Sequence, residues 1–383
     1  MTTRRPGPTG RLRLPRPTDF RAPAHAPEVA ARLGLWLGLA VALCFGTGLL
    51  SHLIQHPPGW FAWPSRPVWL YQVTQGTHVL SGIAAVPLLL VKLWSVYPRL
   101  FARPPLRPTR RLLGHALERL SILVLLAAVS FELITGTLNV AQTYPWHFFF
   151  PAAHYAAGWL AIGALTVHVG VKLPVIRSAL GSGPAPPDVD TDRRALLRTA
   201  VGTAGVAVLA TAGVTVPWLR RLSPLVWRGG EGPQGVPVNR TAAAAGIVVP
   251  ADWRLEVIHP GGRRTFDLAD LAALPQRSAR LPIACVEGWS ATATWTGVPV
   301  AGLLASAGAP TDRPVRIRSL EPAGLYATSI LPAGHVRDPL TLLALRLGDE
   351  PLSPDHGYPC RIIAPSRPGV LQTKWVTRIE VLT

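Results

Sequence analysis

Five long apolar runs dominate the first 220 residues, at about 33–54, 73–97, 120–140, 148–171 and 199–219. Each is close to the roughly 20 residues that cross a bilayer as a helix. Beyond Val236 the pattern changes to short alternating segments broken by Gly, Pro and Asp, such as Trp253–Ile258, Val315–Ser319, Cys360–Ala364 and Trp375–Leu382. Alternation of this kind predicts strands. With short helices over Leu268–Ala273 and Val300–Ser306 it gives a mixed α+β domain of about 150 residues. Residues 1–32 carry seven arginines and no hydrophobic period, which predicts a disordered basic tail. Gly181–Asp188 is a Pro/Gly linker. The expected layout is therefore a tail over 1–32, a transmembrane domain over 33–180, a linker and fifth span over 181–222, and an outer domain over 223–383.

Charge decides the expected orientation. The tail, the 92–119 connection and the 172–198 connection hold seven, seven and five Lys/Arg, while 55–72 holds only Arg66 and 141–147 holds none. By the positive-inside rule the N-terminus is cytoplasmic, and five spans put the C-terminal domain outside a bacterial cell membrane. The formal charge of +18 invites a nucleic-acid partner. Its arginines flank apolar spans instead of forming one basic face, so membrane lipid is the expected partner and nucleic acid is not. Three cysteines, Cys44, Cys285 and Cys360, are too few for a disulfide framework. Arg193 and Arg194 precede a weakly apolar run and resemble a twin-arginine export signal placed inside the chain. The plainer reading is that they are cytoplasmic flanking charges.

Histidines inside the spans are the next informative feature. His78 and His154 lie at similar expected depths in the second and fourth spans, and His168 follows His154 by 14 residues. At 3.6 residues per turn that spacing returns to nearly the same helix face about 21 Å further along. A single histidine in a span is as often a hydrogen-bonding partner between helices as a ligand, whereas this pattern suits haem. Glu132, also within a span, is expected to face the bundle interior, as a structural hydrogen-bonding group or a proton carrier.

His78–Gly82, an apolar run ending in Lys92, and the His154/His168 pair resemble the bacterial dihaem cytochrome b family, which includes membrane subunits of hydrogenases and formate dehydrogenases. The resemblance covers about residues 33–175 and implies His78 and His154 as axial ligands of an outer haem b, with His168 on a second, inner haem. The family's second inner ligand comes from the start of the first span, where Leu33–Gly38 offers none. His115 is a substitute for it, and His52 a competitor at the outer haem or a quinone contact. One haem is expected on this basis, and the second stays open.

The outer domain has its own centre in Leu281–Ser290, where one cysteine stands between an apolar run and a Glu-Gly-Trp turn. A lone cysteine is most often an inert small hydrophobe, but its thiolate is also a soft-metal ligand or nucleophile. Cys285–Ser290 followed by Trp295–Val300 resembles the molybdenum-cofactor domain of the sulfite oxidase superfamily. The resemblance implies Cys285 as the protein's one sulfur ligand to molybdenum, beside the dithiolene of a molybdopterin. Asp355–Arg361 and Gln372–Trp375 resemble further stretches of that domain. By the same comparison His356, Arg361, Gln372, Thr373 and Lys374 line the cofactor site, Ser319 matches a small hydroxyl position, and Asn239 and Arg240 match a cofactor-contacting loop. A basic side chain beside backbone amides suits a pterin phosphate. Cys360 sits at no ligand position and is expected to be structural. The dimerisation domain of sulfite oxidases proper has no counterpart before Thr383, so the domain resembles more the catalytic subunit of periplasmic methionine sulfoxide reductases.

The fold class expected is thus a multi-domain membrane protein: an all-α bundle with a four-helix haem core and one anchor helix, followed by an extracytoplasmic α+β molybdopterin domain. The expected function is a membrane-anchored, molybdopterin-dependent oxidoreductase that passes electrons between a quinone pool, haem b and molybdenum. It would reduce a small substrate by oxygen-atom transfer. Oxidation of sulfite or a similar anion, and a haem-only carrier with a non-catalytic docking domain, are the competing readings.

Overall fold

The computed structural model describes residues 22–101, 109–181, 187–226, 232–322, 324 and 326–383. The expected tail up to residue 21 and the linker residues 182–186 lie outside the described residues. Among the described residues, five helices are long and apolar enough to cross a membrane. They are α1 (Pro27–Gln55), α2 (Leu70–Val96), α3 (Thr109–Val140), α4 (Phe150–Gly181) and α5 (Pro187–Thr211). α1 starts six residues before the apolar run, within the stretch read as tail. Pro27 opens it with a pre-set φ and Glu28 complements the helix N-terminus. Chain contacts divide the protein into two compact units, one of Met1–Val41, Ala84–Leu133 and Phe150–Gly205, the other of Ala42–Ile83, Ile134–Phe149 and Val206–Thr383.

Among the described residues, the regular structure of the first unit is all helix. Val29, Leu33 and Ala40 of α1 pack with Ala85 and Leu88 of α2 and with Ala200 and Ala204 of α5. Small residues on α5 allow this approach, so the fifth helix packs against α1 and α2. Ala128 and Val129 of α3 meet Ala161 of α4 in a second cluster. Polar groups in these helices find partners. Lys92 donates to the Ala30 carbonyl and lies over Gly34, Glu118 pairs with Lys172, and Arg193 lies 3.6 Å from Glu28. Arg193, read as part of an export signal, thus also has a structural contact.

The second unit joins the remaining parts of α1, α2, α3 and α5 to the α+β domain. Its strands are β1 (Leu255–His259), β2 (Gly262–Phe266), β3 (Arg277–Ala284), β4 (Ser290–Pro299), β5 (Val315–Ser319), β6 (Thr328–Leu331), β7 (Leu342–Leu347), β8 (Glu350–Pro351), β9 (Arg361–Ile363) and β10 (Val376–Val381). Three short helices, α6 (Leu268–Ala273), α7 (Val300–Ser306) and α8 (Ala333–Arg337), complete it, the first two with the bounds expected from sequence. One sheet runs β2-β1-β10-β5-β6, with β1 and β10 parallel; the other runs β3-β4-β7-β8, with β9 also on β7. Alternate residues such as Val315 and Ile317, or Ile379 and Val381, point into the main core with Leu303 and Leu304 of α7, as a period of two requires. A second core contains Ile283, Cys285, Trp289 and Trp295 together with Val79 and Ile83 of α2 and Val140 of α3.

The α1–α2 connection is strapped to this domain. Trp63 Nε1 donates to the Ser366 carbonyl (2.7 Å) and Oγ (2.9 Å), and Ser366 N–H donates to the Val68 carbonyl (3.1 Å). Arg66 makes a two-pronged contact with Asp338, at 2.8 and 2.9 Å. Burial alone would raise the Asp338 pKa; Arg66, the Leu340 N–H and Ser65 outweigh it and hold the carboxyl below its usual range. Arg66 is half exposed while Asp338 is buried. Arg66→Ala should therefore cost about 1–2 kcal/mol, between an exposed pair and a buried charged hydrogen bond. Thermal unfolding in detergent checks this, with Arg66→Lys losing less. The wild-type advantage over Arg66→Ala should vanish as pH falls below the depressed Asp338 pKa, because the protonated carboxyl no longer needs its partner.

Candidate cofactor site around Cys285

β3 and β4 form a hairpin whose last paired residues are Ala284 and Ser290, and Cys285 is the first residue of its loop. The Gly288 N–H donates to the Cys285 carbonyl (3.0 Å), closing a four-residue turn, and the Cys285 N–H donates to the Trp289 carbonyl (2.9 Å). Gly288 has φ +94°, and a Cβ there would stand 3.0 Å from Val79 and 3.3 Å from Val140. The turn needs glycine both for its backbone angle and because α2 and α3 lie against it. The Cys285 side chain is buried beside Ile283 and Trp289.

A cationic group is built from the segments around β9 and before β10. Arg361 is buried and donates to the His356 carbonyl (3.1 Å) and the Gln372 carbonyl (3.2 Å), with its guanidinium 5.2 Å over the Trp295 ring. Burial lowers its pKa to about 9, so it stays charged at neutral pH. Lys374 Nζ donates to the Arg240 carbonyl (2.7 Å) and the Asp355 carbonyl (2.9 Å). Burial, then Arg361, pull its pKa down to about 7 against the opposing fields of Asp355, Cys285 and Glu321. Arg240 itself is exposed and paired with Glu321 at 2.5 Å. His356 stacks edge-on to Trp295 and its Nε2 donates to the Pro233 carbonyl (2.7 Å); burial and Arg361 lower its pKa to about 4, so it is neutral at pH 7.

The other expected residues differ in how they are engaged. Gln372 is buried with its amide nitrogen on the Arg367 carbonyl (3.0 Å). Thr373 exchanges a hydrogen bond with Ser329 (2.7 Å), and Ser319 donates to the Lys374 carbonyl (2.8 Å), so both hold the segment from behind. Asn239 is exposed. Cys360 is buried in the main core with its pKa pushed up, as an inert thiol requires. Two tyrosines escaped the sequence reading. Tyr326, 36% exposed, has its pKa raised by burial and then by Cys285 and Glu287. Tyr71 on α2 is buried in a cluster with Ala284, the residue before Cys285. Tyr71 carries no local signal, since only folding brings α2 to the hairpin.

Residues 242–383 match the family described as the oxidoreductase molybdopterin binding domain. This segment is a molybdopterin-binding oxidoreductase domain of the sulfite oxidase superfamily. Mitochondrial sulfite oxidase of Drosophila melanogaster is 30% identical over 160 residues, 35% of this chain and 28% of that protein. A putative protein-methionine-sulfoxide reductase subunit, YedZ1, of Azospira oryzae is 33% identical over 132 residues, 34% of this chain and 49% of its own. The protein-methionine-sulfoxide reductase catalytic subunit MsrP of Gluconobacter oxydans is 28% identical over 149 residues, 35% of this chain and 48% of its own. The chain thus spans less than half the length of each of these relatives.

Such a domain implies a molybdenum cofactor, and the residues present fit one. Among the described residues Arg361 Nε, Trp295 Nε1 and Gln372 Oε1 are buried without a hydrogen-bond partner. Orphaned groups of this kind beside two desolvated cations are costly unless an anionic, hydrogen-bonding ligand satisfies them. Lys374→Met should lower retained molybdenum per chain at least about tenfold at limiting cofactor, the loss of one charge-assisted hydrogen bond; elemental analysis measures it.

Fit to haem is divided. His78 Nδ1 donates to the Cys44 carbonyl (2.8 Å), and its ring lies against Gly48, where a Cβ would come within 2.9 Å of Cε1. A metal-ligating histidine commonly makes such a bond from one ring nitrogen while the other holds the metal. His154 Nε2 instead lies 3.1 Å from Glu132 Oε2, which engages the nitrogen a haem would require. His168 shares α4 and its unit with His154, whereas His78 belongs to the other unit.

Two buried neutral histidines also set a pH dependence. His335, like His356, has its pKa lowered to about 4, by burial and then Arg367. The unfolded chain takes up these protons near pH 6.5 and the folded chain does not, so stability falls as pH drops from about 6.5 to about 4. The unfolding midpoint of cofactor-free protein should decline across that window, and His335→Gln should flatten the decline.

Proposed function

We propose that this chain is a membrane-anchored oxidoreductase that uses a molybdopterin centre at Cys285 to reduce a small extracytoplasmic substrate, with electrons drawn from a quinone pool through haem b. The observation that carries the reading is the seating of the Cys285 turn on Val79 of α2 and Val140 of α3, within one compact unit. His78, the proposed haem ligand, is the residue before Val79. The domain match, five apolar helices and the relatives named as methionine-sulfoxide reductase subunits support it.

When bound, molybdopterin supplies two-electron oxygen-atom chemistry and haem supplies one-electron storage. Cys285 would hold the metal through its thiolate. Arg361, Lys374 and Gln372 would bind the pterin and its phosphate, with His356 held neutral against Trp295 and Asn239 and Arg240 at the entrance. Ser319 and Thr373 would keep the Lys374 segment in place. Lys374, with a pKa of about 7, would gain its full charge when a phosphate approaches, so binding takes up a proton near neutral pH. His78 would hold the haem iron. His154 would have to exchange Glu132 for iron to act as a haem ligand, and His168 would serve a second haem. Arginine placement supports a cytoplasmic N-terminus and an outer C-terminal domain, with the Arg193–Arg194 pair as the export signal for a domain loaded with cofactor before crossing.

Purified protein, reduced chemically, should show a haem band that small sulfoxides or other oxides reoxidise. Cys285→Ser should keep the band and slow reoxidation by at least about a thousandfold, as loss of a metal ligand removes the chemistry rather than tuning it. Equal reoxidation by both proteins would remove Cys285 from the reaction. Reduction of the haem by sulfite instead would reverse the electron flow.

A further inference from the structure

The turn that carries Cys285 is held by amide side chains from the helices as well as by its own hairpin. Gln75 of α2 donates through Nε2 to the Val286 carbonyl at 3.1 Å, and Asn139 of α3 reaches the same oxygen at 3.5 Å. Gln142, just past α3, donates to the Glu287 carboxylate at 2.5 Å, which also accepts the Trp289 indole N–H at 3.1 Å. Gln72 donates to Ser290 Oγ at 2.8 Å. Val286 and Ser290 thus touch side chains of α2 or α3, Glu287 touches the segment just past α3, and Gly288 lies against Val79 and Val140.

Gln75 is singled out by what stands behind it. It is buried, and its Oε1 accepts the Tyr71 hydroxyl at 3.3 Å, while that hydroxyl also shares a hydrogen bond with Ser51 of α1 at 3.1 Å. An amide has donors on one end and acceptors on the other. With its oxygen committed to Tyr71, the nitrogen must face the Val286 carbonyl. Ser51, Tyr71, Gln75 and Val286 thus form a chain of hydrogen bonds, buried as far as Gln75, from two helices to the peptide next to Cys285. In a buried setting such a chain fixes one geometry, because any break leaves a polar group unsatisfied.

We infer that Gln75 is a positioning residue for the Cys285 sulfur: its amide, oriented by Tyr71, holds the Val286 carbonyl and so sets where the thiolate points. This rests on the reading of Cys285 as the metal ligand, but its first test does not. The Cys285 thiol is almost fully buried, so a reagent reaches it only when the turn lifts from the helices.

The experiment uses full-length protein in detergent, prepared without cofactor, and measures alkylation of each cysteine by iodoacetamide with peptide mass spectrometry. Gln75→Leu should speed modification of Cys285 about fivefold, the effect of one lost buried hydrogen bond on local opening. Tyr71→Phe should do so by a smaller factor. Cys360, buried in the other core, reports global loosening and should keep its rate. An unchanged Cys285 rate, or an equal rise at Cys360, would overturn the inference. A second arm uses loaded protein, where Gln75→Leu should keep its molybdenum but shift the Mo(V) electron paramagnetic resonance spectrum. An unshifted spectrum at full metal content would also overturn it. Wild-type protein without molybdenum would sink the proposed function and leave the alkylation result to decide Gln75 on its own.

Discussion

A polar turn buried between a sheet and a set of apolar helices is the constraint on which the second unit depends. The Cys285 hairpin loop presents carbonyls and a carboxylate in a partly buried position, where they find protein partners. The hairpin satisfies the Cys285 and Trp289 carbonyls itself, while Gln72, Gln75 and Asn139 of the helices and Gln142 just past α3 reach Val286, Glu287 and Ser290. Gly288 completes the fit by offering no side chain where Val79 and Val140 approach. The apolar helices thus also hold the Cys285 turn in place.

Opposite demands meet in the cationic group. Arg361 and Lys374 are desolvated enough to lower both pKa values, yet most of their hydrogen bonds go to backbone carbonyls rather than to carboxylates. Carbonyls orient a cation without neutralising it, which leaves net positive charge available to an anion. Arg361 is further fixed by the Trp295 face, and neutral His356 packs the same ring from its edge without adding a competing charge. Such a pocket is unstable as an end in itself and sensible as a binding site.

The apolar helices follow a similar economy. Lys92, Glu118, Glu132 and His154 each face a partner on another helix, by a carbonyl contact or an ion pair. In helices this apolar, buried ionisable groups persist only with such partners. The pairing of His154 with Glu132 is the clearest departure from the haem arrangement that the histidine spacing suggests.

The sequence by itself determined the elements. Apolar length marked five helices, alternation marked the strands, and α6 and α7 were legible to the residue because their short apolar patterns are bounded by turn residues. The Glu-Gly-Trp turn after Cys285 was legible too, since glycine at φ +94° is a local requirement. What only the tertiary structure decided is who meets whom across long separations. Gln75 and Val286 are 211 residues apart, and Trp63 and Ser366 are 303 apart. Nothing in the local pattern around Tyr71, Gln75 or Gln142 distinguishes them from ordinary polar residues at the ends of spans. Their role arises because a buried carbonyl far along the chain must be satisfied, and satisfaction of buried polar groups is a property of packing, not of periodicity.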